Sequence, residues 1–123
     1  MKYFPILLLF VAIHAWADDY YVAKYGSDEI GIGSPDQPWA SIQKAADSVA
    51  PGSTIHVAPG VYTQPIVTQT SGTGDDGGRI TFISDTPYGA QIRNSETIQW
   101  INWGDYVDIV GFDISGADSS FRG

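Results

Sequence analysis

The sequence predicts a mainly β fold in which short strands coil into a parallel solenoid, with one short α-helix closing its first turn. Three strand–turn–strand units begin at Ile55, Ile80 and Val107, a period of 25 and then 27 residues. A spacing of this size is typical of solenoids, because no single turn can bury its own apolar face and each turn stacks on the next. Glycine is frequent, at 14 residues, and one segment alone has helical periodicity, which excludes a mainly α fold.

A β-sandwich is the competing fold class. Sandwich strands are joined by short hairpin turns at regular intervals, typically Asn-Gly or Asp-Gly between alternating strands. The Asp76-Gly77 pair lies inside a glycine-rich loop and is not flanked by such strands. The sequence therefore favours the coil.

The first 17 residues have the three parts of a secretory signal peptide. Lys2 gives a basic start, residues 6–13 form an apolar run, and Ala15-Trp16-Ala17 fits a peptidase cleavage site. The apolar run is too short to span a membrane. We therefore expect a secreted, periplasmic or cell-surface protein that begins at Asp18, with residues 18–123 as one domain. A buried N-terminal strand or helix is the alternative, and it would leave the basic start and the cleavage motif as coincidences.

The chain is acidic, with a net charge of −8. Removal of Lys2 with the signal peptide would leave five basic against 14 acidic residues, a net charge of −9. Such a charge repels nucleic acid and anionic membranes, so neither is an expected partner. The absence of cysteine excludes disulfides and Cys-ligated zinc, so the domain must be held together by packing.

A short strand and a long loop open the mature chain. Residues 20–22 form a strand candidate, and the glycine- and proline-rich residues 25–38 follow as a loop. Three carboxylates of this loop could surround a calcium ion: Asp28, Glu29 and Asp36. Because EF-hand spacing is absent, solvated turn carboxylates are the simpler interpretation, and we assign no metal ligand here.

The predicted helix follows this loop. Apolar residues recur at helical spacing from Ile42 to Val49, Ser41 stands at the N-cap position, and Pro51-Gly52 ends the segment after about ten residues. Its apolar face needs a cover, and we expect it to lie across the first turn of the coil, where it hides strand edges. Trp39 packs at the helix start in the simplest interpretation, with sugar stacking as the alternative.

The remaining strands alternate apolar and polar residues. In residues 54–57 the apolar Ile55 and Val57 share one face, and a turn at Pro59-Gly60 leads into the next strand. The same pattern predicts further strands at residues 61–62, 66–68, 80–83, 90–92, 106–109 and 112–114.

Several motifs occur in an order that resembles a known group of proteins. They are Tyr20-Tyr21-Val22, Gln37-Pro38-Trp39, Pro51-Gly52-Ser53-Thr54-Ile55, Pro59-Gly60-Val61-Tyr62, Arg79-Ile80-Thr81-Phe82 and Asp105-Tyr106-Val107-Asp108. Their order is similar to the N-terminal end of secreted right-handed parallel β-helix proteins of the pectate lyase-like group, notably polysaccharide lyase 9 enzymes and DUF1565-type proteins. The resemblance covers nearly the whole mature chain, and it implies this fold more specifically than any activity.

The resemblance implies a function for a longer parent protein. In such lyases a calcium ion held by aspartates binds the uronate carboxylate, and a Lys or Arg removes the C5 proton in β-elimination. The family places this constellation in its middle turns. Residues 18–123 would then be the N-terminal cap and first turns, a truncated fragment without lyase activity, while Ca2+ and an acidic, pectate-like polysaccharide would belong to the parent. A non-catalytic glycan-binding or adhesin-type surface protein is the alternative.

No catalytic, substrate-binding or metal residue is assigned from the sequence. Asp108 and Asp113 alternate with apolar neighbours and should face outward as a solvated row. His56 should also face outward, without a partner motif for catalysis. Trp100 and Trp103 could stack on a sugar, although a core contact between turns is the simpler interpretation. The basic residues are scattered, and none can be chosen as a catalytic base: Lys24, Lys44, Arg79, Arg93 and Arg122.

Overall fold

A computed structural model describes residues 18–95 and 98–115 of the chain. The expected signal peptide at residues 1–17 and the basic residue Arg122 lie outside the described residues. The described ranges contain one helix and nine short strands, which are β1 (Asp19–Val22), α1 (Ile42–Ser48), β2 (Thr54–Val57), β3 (Gly60–Tyr62), β4 (Ile66–Thr68), β5 (Ile80–Ser84), β6 (Ala90–Ile92), β7 (Trp100–Asn102), β8 (Val107–Val110) and β9 (Asp113–Ile114). Within these ranges, no helix has the length and apolar character needed to cross a membrane.

The strands form three parallel sheets. Their orders are β1-β2-β5-β8, β3-β6-β9 and β4-β7, so each strand pairs with the strand that takes the same place in the next pass of the chain. Ile55 pairs with Phe82, for example, and Phe82 pairs with Ile109. Parallel neighbours need a long connection, because a two-residue turn can join antiparallel strands alone. The predicted mainly β class with parallel pairing is confirmed.

The strand β7 is not predicted by the sequence pattern. It forms because β4 supplies a partner, with Ile66 opposite Trp100 and Thr68 opposite Asn102. The Thr68 hydroxyl also donates a hydrogen bond of 2.6 Å to the Asn102 side-chain oxygen. Pairing with the preceding pass therefore creates a strand where local alternation is too weak to indicate one.

A single core cluster draws on α1 and all three sheets. Alternate residues of each strand point inward, and the predicted inward face of β2, Ile55 and Val57, is fully buried. The Trp100 ring links successive passes by edge contacts with Phe82 and Phe112, at 5.4 and 5.3 Å between ring centroids. This confirms the core contact expected for Trp100 as the simpler interpretation.

The helix is shorter than the sequence predicts. Ser41 is the N-cap as expected, because its side-chain oxygen accepts the Lys44 N–H at 3.1 Å. The helix ends at Ser48, and Val49 already has extended backbone angles, φ −86° and ψ 159°. Pro51 disfavours a helical conformation at the residue before it, so the chain leaves the helix early. Val49 remains buried in the core although it is no longer helical.

The helix closes the outer edge of β4 through one side chain. The Gln43 amide oxygen accepts the Val67 N–H at 2.8 Å, and the Gln43 amide nitrogen donates to the Val67 carbonyl at 2.9 Å. Gln43 therefore takes the place of a neighbouring strand at that point. Unpaired strand edges invite association with other chains, and this amide removes the two free groups of Val67.

The loop before α1 closes the outer edge of β1. The Tyr21 N–H donates to the Gly33 carbonyl at 2.8 Å, and the Tyr21 carbonyl accepts the Trp39 N–H at 3.0 Å. Trp39 also forms a parallel bridge with Val22. The expected role of this end of the fold, protection of strand edges, is thus shared between the helix and the loop that leads into it.

The third pass leaves the core partly uncovered in the described residues. Ile109 and Ile114 continue the inward columns of Phe82 and Ile92, yet they are 38% and 42% exposed, against 1% and 0%. Within the described ranges, β7, β8 and β9 have a partner strand on one side. This edge is apolar and carries unpaired backbone groups, so a further strand can pair with it.

Candidate functional site

The loop carboxylate Asp28 has a structural role. One of its oxygens accepts the N–H groups of Ala40 and Ser41, at 2.8 and 3.0 Å, and the other accepts the Ser41 hydroxyl at 2.7 Å. Asp28 therefore ties the loop to the start of α1, while Glu29 and Asp36 are exposed. In residues 18–95 and 98–115, no three carboxylate, histidine or cysteine side chains are grouped in a way that could hold a metal ion.

Asp108 and Asp113 are ion-paired. Arg79 donates two hydrogen bonds to Asp108, at 2.7 and 2.6 Å, and Arg93 donates one to Asp113 at 2.7 Å. Hydrogen bonding from Arg79 lowers the pKa of Asp108 and raises that of the Arg79 guanidinium. The expected outward direction is right, but the expected unpaired, solvated row is wrong, because arginines of the preceding pass lie beside both carboxylates.

His56 also has partners, contrary to the expectation of a lone side chain. Its Nδ1 lies 2.8 Å from an Asp85 oxygen and its Nε2 lies 3.3 Å from an Asp19 oxygen. The Tyr21 ring stacks on the imidazole with 4.8 Å between centroids. Both ring nitrogens are engaged with carboxylates of neighbouring passes, so neither points at a hydroxyl or thiol nucleophile, as a catalytic histidine of that type would.

Three tryptophans considered for sugar stacking occupy different positions. Trp39 is buried, stacks on Tyr20 at 5.2 Å, and donates its indole N–H to the Gly31 carbonyl. Trp100 lies in the core. Trp103 is 71% exposed, so of the three it is the one with a ring face available to a ligand.

A cavity of about 190 Å³ lies between the loop before α1, the start of α1 and the connection from β3 to β4. The residues that matter for its chemistry are Lys24, Asp28, Ile42, Thr63, Gln64 and Ile66. Thr63 and Gln64 are exposed, so the cavity opens to solvent on their side. Sequence reasoning does not find this site, because its walls come from three separate segments of the chain.

Tyr62 forms one wall of the cavity. Its hydroxyl donates to the Ala58 carbonyl at 2.8 Å, and the Lys24 ammonium lies 5.3 Å from its ring centroid. Burial raises the pKa of Tyr62 to about 12, with a smaller contribution from the negative charge of Asp85. The phenol is therefore a neutral donor, and it is unsuited to act as a base near neutral pH.

We expect this pKa to make the protein less stable in strong alkali. The unfolded chain loses the Tyr62 proton near pH 10, while the folded protein keeps it to about pH 12. The contribution of this group to the free energy of unfolding is therefore full below pH 10 and falls as the pH rises through 12. A phenolate absorbance titration should show a component with a midpoint near 12 that Tyr62→Phe removes. Loss of that component in neither the variant nor the unfolded wild type would contradict the assignment.

Comparison with known proteins shows similarity to carbohydrate-active proteins. No family profile and no curated protein matches the chain. A structure of XylC in complex with xylose is 38% identical with a TM-score of 0.57, over 63% of this chain and 12% of that chain. A rhamnogalacturonan lyase is 20% identical with a TM-score of 0.64, over 86% of this chain and 30% of that chain. The likeness to the lyase shows the fold alone, and this chain spans 12% and 30% of the lengths of these two proteins.

Proposed function

We propose that the chain is the N-terminal cap and first turns of an exported right-handed parallel β-helix protein that acts on a polysaccharide. The observation that carries this proposal is the pairing of each strand with its equivalent in the next pass, in three separate parallel sheets. A mainly β chain with this pairing is also similar to a rhamnogalacturonan lyase and to a xylose-bound protein. Fold similarity is compatible with many activities, so the substrate class stays part of the proposal.

The proposed activity of a longer parent is calcium-assisted β-elimination of an acidic polysaccharide. An acidic protein repels such a polymer unless a cation lies between them, and an aspartate-bound Ca2+ supplies that charge. In the described part of this chain, Asp28, Asp108 and Asp113 are committed to backbone or arginine partners. The calcium ligands and the base would therefore come from further turns, and residues 18–123 would supply the scaffold.

A non-catalytic glycan-binding protein is the second candidate. The observation that favours it is the exposed ring of Trp103, at 71%, together with a cavity beside α1 of a size that suits a small ligand. Binding without chemistry needs such surfaces and does not need a base.

Electrophoresis through gels that contain polygalacturonate, rhamnogalacturonan or xylan tests the proposal. We expect the 123-residue protein to be retarded by at least one polymer relative to a polymer-free gel, and to form no unsaturated uronate product with Ca2+. A longer product of the same gene should form that product, and a chelator should abolish it. Retardation without product from the longer protein would favour the glycan-binding candidate. Unchanged migration of both proteins in every gel would contradict both candidates.

A further inference from the structure

The cavity beside α1 has room for one six-membered ring. Its volume of about 190 Å³ exceeds the roughly 150 Å³ of an engineered cavity in an unrelated protein that admits benzene. Ile42 and Ile66 contribute apolar wall, and the polar side chains of Thr63 and Gln64 stand at the solvent side. An apolar wall with a few polar groups is the usual composition of a small-ligand site, since the wall holds the ring and the polar groups orient it.

Lys24 is a cation of this cavity without a counter-ion. The ion pairs of the described ranges involve His56, Arg79 and Arg93, and none of them includes Lys24. Its ammonium instead lies over the Tyr62 ring, which places the charge at the cavity wall. On a chain with a net charge of −8, an unpaired ammonium here favours an anionic group against a largely repulsive background.

Asp28, the other charged residue of the wall, does not neutralise Lys24. Both of its oxygens already accept hydrogen bonds from Ala40 and Ser41. Those three donors balance the carboxylate locally, and they leave the three N–H groups of the Lys24 ammonium for another acceptor.

We propose that this cavity binds one uronate residue, with the Lys24 ammonium pairing the sugar carboxylate and with Thr63 and Gln64 hydrogen-bonding sugar hydroxyls. The inference rests on the proposed function, because it takes the ligand from the acidic polysaccharide named there. It adds a subsite at the α1 end of the fold, far along the chain from the edge formed by β8 and β9. A single charge and a single ring-sized space commit the site to one residue of the polymer.

Titration of the 15N-labelled 123-residue protein with D-galacturonate, and separately with neutral D-galactose, tests the site by amide chemical shifts. D-galacturonate should shift the amides of Lys24, Thr63 and Gln64. D-galactose should bind at least about tenfold more weakly, because it lacks the charged acceptor. Lys24→Gln should weaken D-galacturonate binding by a similar factor.

Lys44→Gln is the matched control, since Lys44 is also outside the ion pairs of the described ranges but does not line the cavity. It should leave the affinity unchanged. If Lys24→Gln alters the spectrum as a whole, Gln64→Ala at its exposed position replaces it, with an expected loss of about threefold. Equal affinity for the two sugars, or equal effects of the two lysine changes, would overturn the role of Lys24.

The same titration separates this inference from the proposed function. Absence of shifts at the cavity with continued retardation in polygalacturonate gels would overturn the subsite and leave the proposed function standing. Shifts at the cavity without retardation in any polysaccharide gel would support the subsite and contradict the proposed function.

Discussion

Replacing Ile42 with aspartate is expected to lower the free energy of unfolding by at least about 3 kcal/mol. Ile42 is buried in the core cluster that α1 shares with the sheets. Truncation of such a side chain alone costs about 2–5 kcal/mol, and the new carboxylate would have no partner in the core. Since whole domains are stable by only about 5–15 kcal/mol, the change should leave a large unfolded fraction in a urea titration.

The control for Ile42→Asp is Ser48→Asp in the same helix. It adds the same charge at an exposed position and removes one hydrogen bond, from the Ser48 hydroxyl to the Lys44 carbonyl. We expect a loss below about 1 kcal/mol. Equal urea midpoints for the two variants would show that α1 does not close the core.

Asp28→Ala is expected to lower the free energy of unfolding by about 2–4 kcal/mol. The change removes the acceptor for two backbone N–H groups and one hydroxyl at the start of α1. Hydrogen bonds to a charged group contribute about 1.5–3 kcal/mol each, and they are not additive here because all three share one carboxylate. The loop of residues 25–38 should also lose protection from amide hydrogen exchange.

Glu29→Ala is the matched control, because it removes a neighbouring exposed carboxylate and the same charge. The backbone N–H of Glu29 bonds to Ser27, and that bond survives the substitution. Its effect should lie within about 0.5 kcal/mol of zero. A similar loss in both variants would mean that net charge, and not the three hydrogen bonds, explains the effect of Asp28.

Elements with clear local patterns are predictable from the sequence. Alternation places β2 and β5 correctly and identifies Ile55 and Val57 as inward residues, because the pattern and the burial share a period of two. Helical spacing and the N-cap at Ser41 likewise place α1 to within a few residues. The repeat near 26 residues predicts which strands lie side by side, since each pass returns to the same place.

Features that depend on contacts between passes are not predictable in this way. The strand β7 needs β4 as its partner, and the pair of Arg79 with Asp108 joins residues 29 positions apart. Tyr106, expected inside a strand, has φ 56° and precedes β8, a conformation that favours glycine and is set by the turn around it. Opposite charges that recur at the repeat spacing are the signal that could have indicated the arginine–aspartate pairs.

The cavity is the least predictable feature. Lys24, Ser41 and Thr63 belong to segments that are far apart in sequence, and no motif links them. Only the closing of the first turn by the loop and α1 brings them together, so the site follows from the fold and not from a local pattern.

Disulfide trapping of Thr54→Cys with Thr81→Cys tests most directly the parallel stacking on which the proposed function rests. The two residues pair in register between β2 and β5, and the native chain has no cysteine to interfere. In-register Cα atoms lie about 4.8 Å apart, within the range that a disulfide spans, whereas Thr54→Cys with Ile83→Cys is displaced by two residues, to about 8 Å. Mild oxidation of dilute protein, followed by mass spectrometry of unreduced peptides, should give an intramolecular disulfide in the first pair and little in the second. Efficient trapping of the displaced pair, or of neither pair in a folded protein, would contradict the parallel stack.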